Sequence, residues 1–124
     1  MALVETEIYS LLTGNATITR KLNKRVYPVV MPQDPVLPAI TYQRISGEKI
    51  NILGGYSGLE NPHIVINVWS QKYEEAKAIA EDVHSAMNGA SAFKSWLIND
   101  LDGYDPDISL FVVSMDYSCW DNEV

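Results

Sequence analysis

The sequence predicts an α+β fold: a mostly antiparallel sheet of about four to five strands, with one long helix (about 71–88) and a short N-terminal helix packed on one face. Three observations carry this expectation. Apolar residues at Ala76, Ile79, Ala80, Val83, Ala86 and Met87 recur at helical spacing. Three other stretches, 39–46, 63–69 and 109–120, alternate with a period of two. The segments run in the order helix, strands, helix, strands.

At the N-terminus, Leu3, Val4, Ile8, Leu11 and Leu12 mark an amphipathic helix that Gly14 is placed to end. Residues 16–24 add a helical turn or two with a basic outer face. Val26 to Val30 can form a strand, but Pro28 lacks an N–H, which restricts it to a sheet edge or a bulge. Residues 31–38 hold Pro32, Pro35 and Pro38 and read as a stiff connector. Ala39 to Ser46 is a strand with Ile40, Tyr42 and Arg44 on one face. Residues 47–61 contain four glycines and two asparagines and predict a long, mobile loop or hairpin tip. His63 to Trp69 is a strand with Ile64, Ile66 and Val68 on one side. Ser70 suits the N-cap of the long helix, Glu74 and Glu75 favour its positive end, and Gly89 stops it. Residues 92–102 predict a strand, with 96–98 open to a helical alternative. DGYDPD (102–107) predicts a turn, and Ser109 to Trp120 the longest strand, with Phe111, Val113, Met115, Tyr117 and Cys119 on one face.

A chain of 124 residues fits one domain, 1–124, able to bury roughly two thirds of its unfolded surface. No apolar run approaches a membrane span, and the N-terminal residues lack the basic start of a secretory signal. The Asn15-Ala16-Thr17 sequon is therefore expected to stay idle. A single cysteine excludes an internal disulfide. The net charge of −7 argues against general phosphate-backbone binding. The charge is lopsided: residues 20–49 hold Arg20, Lys21, Lys24, Arg25, Arg44 and Lys49, and residues from 100 onward carry acids and no base. Two readings stand. Both groups can be solvated faces, or one copy's basic patch can meet the next copy's acidic patch head to tail, which can close a ring.

No reaction constellation emerges. Counted from Asp100, an EF-hand would need glycine sixth and glutamate twelfth, where the chain has glycine fourth and Phe111 twelfth. Gly55-Tyr56-Ser57-Gly58 fails the nucleophile-elbow spacing and precedes no Gly-Lys-Ser/Thr. His63 and His84 lack partners at metal-ligand spacing, His84 is out of phase with the apolar stripe, and Cys119 reads as a small core residue. The aromatics read as core or protein interface, since no basic groove accompanies them. No cofactor and no metal are expected.

These segments, in this order, resemble a known family. Its anchors are Arg25-Val26-Tyr27-Pro28, then Leu37-Pro38, then Tyr42-Gln43-Arg44 with Ser46-Gly47. Val68-Trp69-Ser70 follows, leading into Tyr73, Glu75 and Ala76, and the chain closes on an aromatic strand through Tyr117 and Trp120. This pattern is similar to the tail-completion, or tail-terminator, proteins of long-tailed bacteriophages and prophages. The resemblance implies a structural virion-assembly protein without enzymatic activity. Such a protein forms a hexameric ring that caps the head-proximal end of the tail tube, stops polymerisation and offers the head–tail joining surface. Implied partners are other copies of the chain (with a monomer possible when free), the major tail tube protein and a head-completion or neck protein. DNA passes through a channel without specific binding, and no membrane is involved. The candidate subunit or partner interface is Arg20, Lys21, Lys24, Arg25, Arg44, Lys49, Tyr56, Asp100, Asp102, Asp105 and Asp107. A connector-side head-completion adaptor is the alternative role, and a small hydrolase a remote one.

Overall fold

A computed structural model describes residues 4–33, 36–52, 55–90 and 93–121. Helix α1 spans Val4–Gly14 and helix α2 Ala16–Leu22. The hinge between them is Asn15, whose side-chain Oδ1 accepts hydrogen bonds from the Thr17 and Ile18 N–H groups at 3.0 and 3.2 Å. The sequon asparagine is thus an N-cap, satisfying two otherwise orphaned donors. Strand β1 (Val26–Pro28) follows, then β2 (Ala39–Ile52), β3 (Gly55–Ser70), helix α3 (Tyr73–Asn88), β4 (Phe93–Asp105) and β5 (Leu110–Asp121).

The strands form one sheet in the order β1-β2-β3-β5-β4. Only the β1–β2 pair is parallel; the other three pairs are antiparallel. Pro28 does lie in an edge strand, where its missing N–H costs no ladder bond. The helices cover one face. Alternate residues of the strands, Ile40, Tyr42, Ile64, Ile66, Val68, Val113, Met115, Tyr117 and Cys119, join Ile8, Leu12, Ile18, Leu22, Ile79, Val83 and Met87 in one continuous core. The opposite face carries Asn67, Ser114, Trp69 and Thr41, tied in cross-strand pairs. Ser114 Oγ donates to Asn67 Oδ1 (2.5 Å), and Trp69 Nε1 donates to Thr41 Oγ1 (3.0 Å).

Three expectations change. First, the 47–61 loop is a paired ribbon: β2 and β3 run on together from Gly47↔Pro62 to Ile52↔Gly55, with bulges at Arg44/Ser46 and Ile50/Asn51. Cross-strand hydrogen bonding overrides the weak strand propensity of glycine and asparagine. Residues 53 and 54 lie outside the described residues, as do the side chains of Lys49 and Tyr56. Second, 102–105 is strand. Asp102↔Val113 through Asp105↔Leu110 continue the β4–β5 ladder, and the Tyr104 and Phe111 rings sit 4.9 Å apart across it. The turn itself is 106–109, closed by Ser109 at φ 56°.

Third, Ser70 does not cap α3. The cap position is Lys72, with no side-chain hydrogen bond. The fully buried Ser70 hydroxyl instead donates to Glu75 Oε1 (2.6 Å) and accepts from the Lys72 N–H (3.0 Å). It ties the strand end to the first helical turn one step earlier than a cap would. The strand expected over 92–102 continues through 96–98, without the helical alternative and with a bulge between Leu97 and Asn99.

After β1 the chain makes a tight turn. The Val29 N–H donates to Tyr42 O (2.8 Å) and the Val30 N–H to Pro28 O (2.7 Å), which holds Val29 at φ 65°. A positive φ is uncommon for any residue but glycine and costly for a β-branched one. The Leu37–Pro38 peptide bond is cis.

Candidate functional site

The β-registers fix where the charged residues stand. One row crosses the whole sheet: Val26, Ile40, Val68, Val113, Asp102. Two residues along, the next row on the same face is Pro28, Tyr42, Ile66, Met115, Asp100. The basic residues that lead into β1 therefore lie level with the acidic part of β4, at the opposite edge of the sheet. Four strand spacings separate the two edges, about 19 Å.

At the β1 edge, not all the predicted bases are free to reach outward. Lys21 Nζ bonds Asp82 Oδ2 on α3 at 2.7 Å. Arg25 Nε donates to Pro38 O (3.0 Å), clamping the start of β1 to the start of β2, and its other arm reaches Lys21 O at 3.5 Å. Arg44 lies on the helix-covered face, with Nη1 3.9 Å from Glu5 Oε1. Arg20 and Lys24 are exposed and form no ion pair among the described residues.

At the β4 edge, Asp102 accepts from Tyr73 Oη (2.5 Å) and Lys77 Nζ (3.2 Å), both on α3. The Tyr73 hydroxyl, then the Lys77 ammonium, hold its carboxyl below the usual aspartate range, and the same bond raises Lys77. Asp105 Oδ1 accepts the Asp107 N–H at 3.0 Å, shaping the turn. Asp100 and Asp107 are exposed. Structure thus sorts the predicted interface into residues engaged within the subunit (Lys21, Arg25, Arg44, Asp102) and residues left facing outward (Arg20, Lys24, Asp100, Asp107).

Sequence reasoning missed the apolar half of these edges. Among the described residues, eight of the eleven exposed large apolar side chains fall in two groups. Trp96, Ile98, Leu101, Tyr104 and Ile108 lie on β4 and its turn, and Val29, Val30 and Val36 follow β1. Strand alternation gave no signal for them, because an edge strand exposes residues that a central strand would cover.

His84 Nδ1 lies 3.0 Å from Tyr117 Oη and its Nε2 3.3 Å from Asn88 Nδ2. Burial pushes the Tyr117 hydroxyl well above its ordinary value and the fully buried Cys119 thiol up to about 12. Asp100 and His84 do line one narrow groove of about 140 Å³ with Lys77 and Glu81, but no Ser, Thr or Cys lines it. A groove of about 600 Å³ lies between Met31, Pro32, Leu37, Ile108 and Leu110, and none of the described residues lining it is titratable. Among the described residues no group of three or more His, Cys, Asp or Glu could hold a metal ion. No helix of these residues is long and apolar enough to cross a membrane.

Fold and surface together define a class: an α+β subunit whose distinctive chemistry lies on two opposed sheet edges and not in a pocket. Residues 6–120 match the family described as Tail completion protein gp17, so the chain belongs to that family. It is a structural protein of the virion tail. No curated protein sequence gives a significant match. Among solved structures, the fold is similar to a chain of a "Virion of native gene transfer agent (GTA) particle", with a TM-score of 0.79 and 16% identity over 95% of this chain and 93% of that one.

Proposed function

We propose that this protein caps the head-proximal end of the tail tube, halts tube polymerisation and presents the surface on which the head's neck proteins dock. The observation that carries the reading is the family match over 6–120, which spans nearly the whole fold, from α1 to the end of β5. The similar fold in a gene transfer agent virion supports an assembly role. The chain acts as one domain, 1–124, built on one core, and performs no catalysis.

The working form is a ring, of six copies by the family's pattern, with the tube protein on one side and a neck protein on the other. Arg20 and Lys24 face the next copy's acidic β4 edge, and Lys49 and Tyr56 in the β2–β3 ribbon complete the candidate interface. A net charge of −7 on each subunit suits a channel along which DNA slides, because acidic walls repel phosphate. Gold labelling of the protein on purified tails tests the position. Label at the head-proximal end of the tube is expected. Label on the connector side, in tail-less heads, would replace this reading with that of a head-completion adaptor.

A further inference from the structure

We infer that the β4 edge of one copy docks on the β1 corner of the next copy, and that this single heterologous contact builds the ring. The inference rests on the ring reading above and assigns its contact surfaces. Both edges combine exposed apolar side chains with a predominant charge: β4 carries Asp100, Asp102 and Asp105 against Lys94, and Arg20 and Lys24 precede β1. On β4, Trp96 and Leu101 are 57% and 62% exposed beside Asp100. At the β1 corner, Val29 and Val30 are 57% and 72% exposed just after the strand, with exposed Lys24 just before it and exposed Arg20 on the preceding helix. A 13-residue edge strand with exposed large apolar residues is a surface that folded proteins normally cover.

The occupant is a second copy because the two edges are complementary. One is apolar and mainly acidic, with Asp100, Asp102 and Asp105 outnumbering Lys94, and the other apolar and basic, so each suits the other better than itself. Contact between unlike surfaces is head-to-tail, which closes into a ring or grows into a filament. Height decides between them. The rows Val26–Asp102 and Pro28–Asp100 put the two edges level across the sheet. Joining surfaces at equal height adds rotation without a step along the axis, which is the condition a closed ring requires. The strained Val29 turn fits the same role, since it holds two valines out where only a partner would bury them.

The test places cysteines at Leu101 and Val30 in particles carrying the full chain and applies a short bismaleimide. The native Cys119 is fully buried and gives no background. The double variant is expected to yield a ladder of cross-linked multimers, and either single variant only monomers. A double variant that enters particles yet stays monomeric would overturn the inference. A second measurement uses Leu101→Asp and Val30→Asp. Each alone is expected to weaken self-assembly at least about tenfold, while a mixture of the two forms one-to-one pairs and stops there. Rings of wild-type size from either variant alone would also overturn it. Wild-type rings located away from the tail tube would instead defeat the capping function and leave this contact standing.

Discussion

Ser70→Ala tests how the long helix is fixed to the sheet. The hydroxyl is fully buried and makes two hydrogen bonds, one donated to the Glu75 carboxylate and one accepted from the Lys72 N–H. A hydrogen bond to a charged group contributes about 1.5–3 kcal/mol, and Glu75 is exposed, so water recovers part of it. That sets its share near 1 kcal/mol. Losing the partner of the Lys72 N–H adds about another 1 kcal/mol, as for a lost cap. Alanine leaves only a hydroxyl-sized gap, so the total is about 2 kcal/mol. For 124 residues the unfolding entropy near the midpoint is about 0.26 kcal/mol/K, giving a fall in Tm of about 8 °C. Differential scanning calorimetry measures this. Glu75→Gln, which keeps an acceptor, should cost less than half as much. A Ser70→Ala protein melting within 1–2 °C of the wild type (about a quarter of the fall worked out above) would refute the reasoning.

Other expected outcomes follow from the same geometry. Iodoacetamide at pH 8 should leave Cys119 unlabelled in the folded protein and modify it in denaturant, because burial keeps the thiol protonated up to about 12. The sign for stability follows: the folded pKa lies above the ordinary 9.0, so the contribution is intact below pH 9 and is lost as pH rises toward 12. The raised Tyr117 acts likewise above pH 10, each group contributing a slope of about 1.4 kcal/mol per pH unit, measurable as a falling urea midpoint. Val29→Gly should raise stability by about 1 kcal/mol, since relief of positive-φ strain of about 1–3 kcal/mol exceeds the added chain entropy, and Val29→Ala should give no such gain. Lys21→Ala should lower stability by less than about 1 kcal/mol through its pair with Asp82, without affecting assembly. Reversing Arg20 and Lys24 together should leave stability unchanged and weaken assembly, with rescue by reversed charge at Asp100 and Asp107.

The sequence was most legible where one face of an element is buried. Ile79 and Val83 mark α3, and Ile64, Ile66 and Val68 mark β3, because burial imposes a period and the period is local. Cys119 was readable as core for the same reason. The distal β2–β3 ribbon was not, since its pairing depends on a partner strand more than on the propensities of Gly47, Asn51 or Gly55. The parallel β1–β2 pairing is accompanied by the Arg25–Pro38 hydrogen bond, a contact across the connector that no local pattern announces. Ser70 was expected to cap α3, but it ends β3 and the cap position is Lys72; its buried hydroxyl instead reaches Glu75, a contact the local pattern does not distinguish from a cap. At the candidate site, the charge split was visible in the sequence. Which charges are engaged within the subunit and which face outward was not, because Lys21–Asp82 and Lys77–Asp102 join residues far apart in the chain.

The most direct measurement is tail length in particles produced without this protein. Electron micrographs of such a preparation should show overlong, heterogeneous tubes unattached to heads, and normal tails should return when the protein is supplied. Tails of normal length joined to heads in its absence would contradict the account.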